Sequence, residues 1–247
     1  INMIIASIAT GLMVSLIPHL TSSFIKKDLK DVKEKINQTL QWLLFFTIPM
    51  TFGLSVLARP VWIIFYGVSD FGPSVYQYYV FVALATTLFT ASVTILQLLK
   101  EYKQVFICIL VGLFTNAILN IPLLYAFDKI GLPAYYGSTT STILGYTVCS
   151  FLALGYVGRK YKVSYEETIK RVFNIFSTTL VMVIILLVLK YLLPFTSTSR
   201  LVNILYVVLF SSIGAIIYLF IMFKSRFIYD IFGKENVDNI FKKFRKR

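Results

Sequence analysis

The sequence predicts an all-α polytopic membrane protein with about seven transmembrane helices plus amphipathic interfacial helices. Hydrophobic residues make up 57% of the 247 residues, charged residues only 14%, and the mean hydropathy is +0.78. A soluble domain carries about 25% charged residues. Apolar stretches of roughly 20 residues recur along the chain, the length that crosses a hydrocarbon core of ~30 Å. Helices are expected because a lipid-facing backbone must satisfy its own hydrogen bonds.

Seven apolar stretches fill most of the chain, with neither a low-complexity tract nor a clear internal repeat between them. We therefore expect one membrane domain. The predicted spans are Ile1–Leu20, Gln41–Leu57, Tyr78–Leu99, Val105–Phe127, Ala134–Val157, Val172–Leu193 and Val202–Phe223.

Basic residues collect in every second gap between the spans. Of the 24 Lys and Arg, 20 lie in 26–35, 100–103, 159–171 and the tail 224–247, whereas Arg59, Lys129, Lys190 and Arg200 lie in the other gaps. Because basic loops resist translocation, the pattern predicts an outside N-terminus and a cytoplasmic C-terminus. The net charge of +13 lies beside the spans, which favours anionic inner-leaflet phospholipid over nucleic acid as a partner.

Three segments are amphipathic rather than spanning. Lys26–Leu40 should form a surface helix, and Ser164–Arg171 opens with a Ser-Tyr-Glu-Glu capping box that predicts a helix beginning at Ser164. Arg226–Arg247 sets apolar residues against a basic face. These segments are either ordinary basic loops that set topology or sites for lipid head groups. A short apolar piece, Val61–Tyr66, is interpreted as interfacial or re-entrant.

Groups for catalysis or ion coupling are missing from the predicted spans. All eleven acidic residues fall in loops or at helix ends, and the single histidine, His19, follows Pro18 at the inner end of span one. Intramembrane ionisable residues mark proton relays and ion sites, so this chain is not expected to hold a main coupling site. No catalytic residue, metal site or cofactor is predicted. Cys108 and Cys149 are interpreted as buried apolar residues.

Span four carries the polar side chains Thr115, Asn116 and Asn120. Asn116 and Asn120 are four residues apart and so share one helix face. Asn in hydrocarbon is costly unless it bonds a neighbouring helix or faces water. These residues are therefore either interhelical contacts or the wall of a cavity that binds a polar substrate.

Small residues recur at every fourth position of span five, a pattern that lets two helices approach closely. They are Gly137, Ser141, Gly145 and Cys149, and Ser7, Gly11 and Ser15 repeat the pattern on span one. The hydroxyl groups of span five are the alternative, as the lining of an aqueous vestibule. Spans six and seven are instead nearly pure aliphatic. They are either a lipid-facing periphery or a groove for a lipid tail.

Three segments in a fixed order carry a family resemblance. ATGLMVSLIPHLTSSF at 9–24 is followed by the charged stretch 26–35, by IPMTFGLSVLARP at 48–60 and by IIFYG at 63–67. This order resembles helices eight and nine of bacterial lipid-linked oligosaccharide flippases, in the multidrug/oligosaccharidyl-lipid/polysaccharide exporter superfamily. It is most similar to the branch of the lipid II flippases and stage V sporulation protein B.

The resemblance implies a partial exporter-superfamily fold, the C-terminal half of a fourteen-helix protein in the bacterial plasma membrane. Residues 1–193 would be transmembrane helices of the C-terminal lobe with amphipathic linkers. Residues 194–223 would hold the last helix of a lipid-groove pair, and residues 224–247 a basic cytoplasmic tail. The implied partners are a lipid-linked oligosaccharide and a missing N-terminal lobe of the same protein, which would hold the residues that bind pyrophosphate.

The implied function is flipping of an undecaprenyl-linked cell-wall precursor, lipid II or a similar molecule, by alternating access. Export of another lipid-linked oligosaccharide (teichoic, capsular or O-unit) is the alternative, as is ion-coupled multidrug antiport. The absence of a membrane carboxylate counts against an antiporter, and the absence of clustered polar residues counts against a membrane enzyme.

Overall fold

The computed structural model describes residues 2–26, 28–193 and 197–224, and this part of the chain forms nine α-helices. The helices are α1 (Asn2–Ile25), α2 (Leu29–Val56), α3 (Ala58–Tyr66), α4 (Gly72–Tyr79), α5 (Phe81–Leu98), α6 (Tyr102–Lys129), α7 (Tyr135–Tyr161), α8 (Glu166–Leu192) and α9 (Arg200–Lys224). Six segments are long and apolar enough to cross a membrane, namely α2, Gly72–Leu98, α6, α7, α8 and α9. The first predicted span forms α1, of 24 residues. The predicted all-α polytopic fold is confirmed.

Eleven of the sixteen described basic residues fall within 26–35, 100–103 and 159–171, in turns and the adjoining helix ends. These turns and helix ends lie at one end of the bundle, here called the basic end. Tyr161 OH donates to Glu101 Oε1 at 2.7 Å, and Asn37 Nδ2 donates to Ser164 O at 3.0 Å. The other end, here called the Arg59 end, holds α3, α4 and the turn before α7. Phe71 and Tyr135 stack edge-on there, with ring centroids 5.2 Å apart.

Helix α2 contradicts the prediction of a separate surface helix over Lys26–Leu40. The chain is helical without a break from Leu29 to Val56, through the predicted boundary with span two. Val32, Ile36 and Leu40 are buried, because the apolar face of the amphipathic segment continues into the face of the span. No helix breaker separates the two segments.

Helix α8 contradicts the predicted capping box at Ser164. The helix begins at Glu166, after an N-cap at Tyr165 that makes no side-chain cap hydrogen bond, and it continues through span six to Leu192. Its first turn is held by tertiary contacts instead. Thr168 Oγ1 donates to Asn37 Oδ1 at 2.6 Å, and Gln41 Nε2 donates to Thr168 Oγ1 at 2.8 Å.

Other local predictions have mixed outcomes. Val61–Tyr66 lies within the short helix α3, and span three is divided at Val80 into α4 and α5. Pro18 lies inside α1, which continues to Ile25. The side chain of His19 and the predicted tail helix Arg226–Arg247 lie outside the described residues.

Two apolar clusters form the core, and α2 contributes to both. Phe45 joins a cluster that also holds residues of α8 and α9, such as Leu186 and Phe210. Ile36 joins the second cluster with residues of α5 and α7, such as Ile95. Helices α1 and α5 also supply side chains to both clusters, so these two helices and α2 together connect the two halves of the bundle.

The small-residue ladder of α7 packs against α6, as predicted. A Cβ atom added at Gly145 would lie 2.8 Å from Gly112 O, and one added at Gly137 would lie 2.4 Å from the Leu123 carbonyl. Cys108 and Cys149 are buried free thiols, as predicted. The matching stripe on α1 behaves differently, because Ser7, Gly11 and Ser15 are exposed. Within the described residues that stripe does not mediate helix packing.

Candidate substrate-binding site

An apolar cavity of about 360 Å³ opens between α2, α8 and α9. Side chains four residues apart on α2, and three or four apart on α8 and α9, present one face of each helix to it. They include Phe45, Pro49 and Gly53 of α2 with its C-cap Leu57, Met182 and Leu186 of α8, and Gly214 and Tyr218 of α9. The wall from Phe45 to Leu57 spans thirteen residues, roughly 18 Å along the helix axis, from mid-helix to the Arg59 end.

Two glycines of the cavity wall differ in what surrounds them. A Cβ atom added at Gly53 would meet no heavy atom within 4 Å, and Gly214 packs close to Leu186. The inner part is closed by Tyr218, whose hydroxyl donates to Phe45 O at 2.9 Å and so is not left unsatisfied. The walls are almost wholly hydrocarbon. Such a cavity suits an apolar chain, and its volume falls within the ~300–1,000 Å³ of ligand pockets.

A polar pocket of about 320 Å³ lies at the Arg59 end, beside the last turn of α2. Arg59, Asp70 and Lys190 supply its charges, and hydroxyl and amide side chains complete the wall, namely Ser55, Ser69, Ser74 and Gln77. Lys190 Nζ donates to Val56 O at 3.0 Å. This bond holds the amine of α8 against the end of α2.

The predicted site residues of α6 are not gathered into one pocket. Asn116 Oδ1 accepts a hydrogen bond from Ser141 Oγ at 3.0 Å, and Asn116 lines a small cavity of about 150 Å³ between α5, α6 and α7. Thr115 Oγ1 donates to Val111 O within its own helix. Asn120 is half-buried. Asn116 is thus an interhelical contact, and a substrate role for Thr115, Asn116 and Asn120 stays a prediction.

A charged cluster holds the basic end together. Glu101 accepts hydrogen bonds from Lys160, Tyr156 and Tyr161. Burial by itself would raise the pKa of Glu101, but these three hydrogen bonds, the one from Lys160 first, outweigh burial and lower the pKa. The carboxylate therefore stays ionised at neutral pH and joins the α5–α6 turn to the end of α7.

Sequence reasoning missed both cavities on α2. It placed a lipid groove on spans six and seven alone, whereas α2 forms a full wall of the apolar cavity. Arg59 and Lys190 are two of the four basic residues outside the basic gaps. Their unusual position in the sequence was the available signal for a charged site. Because Arg59 and Lys190 are 131 residues apart in the sequence, their proximity in the pocket could not be predicted from it.

A family model and a curated relative that match this chain carry the same name. A family model described as lipid II flippase MurJ matches residues 1–211. A lipid II flippase MurJ of Bacillus subtilis (strain 168) is 28% identical over 239 residues, which covers 94% of this chain and 43% of that relative. The chain spans less than half the length of this curated relative. Because the family model matches well over half of it, the chain is a multi-pass membrane protein that belongs to the lipid II flippase MurJ family.

Proposed function

We propose that the protein containing this chain is a flippase that moves an undecaprenyl-linked cell-wall precursor, lipid II or a close analogue, by alternating access. The observation that carries the proposal is the apolar cavity between α2, α8 and α9, in a chain whose family is named for lipid II flipping. In this proposal α8 and α9 form a lipid-groove pair with α2 as its third wall. The polyprenyl chain enters the groove during transport. The protein acts as a transporter and not as an enzyme.

A second lobe of the same protein completes the transport path in this proposal. The Bacillus subtilis relative is more than twice as long as the matched region. Only 11% of the most apolar stretch of α6 is buried, and large side chains such as Phe106, Phe114 and Ile118 are exposed on this helix. Thr115, Asn116 and Asn120 lie on this helix and are our candidates for contact with a polar head group.

Transport in proteoliposomes tests the proposal. We expect the whole protein, reconstituted with fluorescently labelled lipid II, to make the inner-leaflet label accessible to an added membrane-impermeant quencher, and this chain alone to be far less active. Empty liposomes and an unrelated membrane protein are the controls. No transport by the whole protein, or equal transport by both forms, would contradict the proposal. Transport only of a different lipid-linked glycan would favour the related exporter function.

We also propose that the basic end faces the cytoplasm and contacts anionic phospholipid. The turns and adjoining helix ends at this end carry most of the described basic residues, and basic loops remain on the cytoplasmic side. The basic segment 226–247 lies outside the described residues and takes the same side in this proposal.

Cysteine labelling tests this orientation. In a protein with Cys108 and Cys149 replaced by Ala, we expect Ser69→Cys to react with an impermeant maleimide in intact cells and Lys30→Cys to react only after permeabilisation. Ser69 and Lys30 are both exposed, so a difference in labelling reports the side of the membrane and not burial in the protein. The reverse order of labelling would refute the orientation.

A further inference from the structure

We infer that the polar pocket at the Arg59 end binds the pyrophosphate of a polyprenyl lipid whose chain lies in the apolar cavity. The inference rests on the proposed function, because it takes the occupant of the cavity to be a polyprenyl chain. It adds a head-group site in this chain, at the end of the bundle opposite the basic end. Arg59 and Lys190 would be its binding residues.

The spacing of α8 residues joins the two cavities. Met182 and Leu186 line the apolar cavity, and Lys190 lines the polar pocket. Residues four apart lie on one helix face, so Lys190 extends the same face by one turn, about 6 Å. A ligand that lies along this face meets hydrocarbon first and then an ammonium group.

The last turn of α2 joins the same two cavities. Gly53, Leu54 and Leu57 line the apolar cavity, whereas Ser55 and Val56 line the polar pocket. Arg59 follows two residues after Leu57, in the first turn of α3. Because consecutive residues of a helix point about 100° apart, the two linings lie on neighbouring sides of the same turn, and the two cavities adjoin around the end of α2.

The charges of the pocket favour an anion. Two cations, Arg59 and Lys190, face one carboxylate, Asp70. Within residues 2–26, 28–193 and 197–224, none of the three forms an ion pair. Lys190 Nζ uses one of its three N–H donors in the hydrogen bond to Val56 O, which leaves two for a ligand. The guanidinium of Arg59 has five donors, whose fork geometry matches a phosphate group.

Binding of short polyprenyl probes to the whole protein in detergent tests the inference. The probe is geranylgeranyl pyrophosphate, and affinity is measured by native mass spectrometry or calorimetry. We expect the double variant Arg59→Gln/Lys190→Gln to bind at least about tenfold more weakly, because two charge-assisted hydrogen-bonding groups are lost. Asp70→Asn should bind more tightly. The matched control is Lys129→Gln/Arg200→Gln, which makes the same charge change at exposed residues outside the pocket.

Two further probes separate the contribution of the pyrophosphate to binding from that of the polyprenyl chain. Geranylgeraniol, which has no phosphate, should be insensitive to the double variant, and inorganic pyrophosphate should bind far more weakly than the lipid. Equal loss in the control variant, equally tight binding of inorganic pyrophosphate, or equal competition by phosphatidylglycerol would overturn the inference. The conservative variant Arg59→Lys/Lys190→Arg should keep most of the affinity, which excludes misfolding as the cause of a loss.

Failure of this inference is distinguishable from failure of the proposed function. If the whole protein transports lipid II but the double variant binds the probe normally, the function stands and the site is refuted. If the probe binds in a manner that depends on Arg59 and Lys190 but no lipid is transported, the site stands and the flippase function is refuted.

Discussion

Replacing Gly137 by Ala is expected to destabilise the protein by about 1–3 kcal/mol, the usual cost of overpacking a close contact. The new Cβ atom would lie 2.4 Å from the carbonyl carbon and oxygen of Leu123 and 2.5 Å from the amide nitrogen of Leu124. These are backbone atoms of α6, so no side-chain rotation relieves the clash. Helices α6 and α7 would have to separate along their most extensive interface.

The matched control is Gly155→Ala on the same helix. A Cβ atom at Gly155 would meet nothing within 4 Å, and Ala is the better helix former by up to about 1 kcal/mol. The two substitutions should therefore change stability in opposite directions. Thermal unfolding in detergent can be followed with a thiol-reactive dye, since Cys108 and Cys149 are both buried. Equal melting temperatures for the two variants would mean that the close α6–α7 contact is not as described.

Replacing Gly53 by Phe is expected to abolish lipid binding and transport while leaving the protein folded. Gly53 lines the apolar cavity, and the space beyond its Cα is open. A phenyl ring there would fill a large part of the about 360 Å³ between α2, α8 and α9. Because the ring replaces empty space rather than packed atoms, the melting temperature should change little.

Gly155→Phe controls for the added aromatic ring, since it places the same side chain in open space outside the cavity. We expect Gly53→Phe to reduce binding of geranylgeranyl pyrophosphate and lipid II transport by more than tenfold, and Gly155→Phe to reduce neither. Normal transport by a well-folded Gly53→Phe protein would show that the cavity is not on the substrate path. A loss in both variants would indicate a general effect of the added ring.

Glycine serves different purposes at the α6–α7 contact and at the apolar cavity. At Gly137 and Gly145 the missing side chain lets two backbones touch, and at Gly53 it leaves room for a ligand. The sequence pattern reveals the first use, because small residues recur every fourth position along α7. It does not reveal the second, because Gly53 is a lone glycine in an apolar helix whose facing residues lie more than 120 positions away.

Properties that depend on local composition could be predicted from the sequence alone. Apolar length identified the membrane-spanning helices, and the order of basic and apolar segments carried the family resemblance. Helix boundaries were less predictable. The surface helix at Lys26–Leu40 is part of α2, and the capping box at Ser164 is not formed, because burial of Ile36 and Thr168 against neighbouring helices outweighs the local signals.

By itself, then, the sequence determined an all-helical, multi-pass membrane protein, because hydrophobicity and charge along the chain act locally, and its motifs indicated the family. Of the seven predicted spans, six are long and apolar enough to cross a membrane in the described part of the chain. Only the tertiary structure decided where a substrate could bind. It made α2 the third wall of the lipid cavity and brought Arg59 to Lys190 beside it. Those juxtapositions follow from the packing of helices that are distant in sequence. Periodicity within one helix predicts which face is apolar, but it does not say which other helix that face will meet.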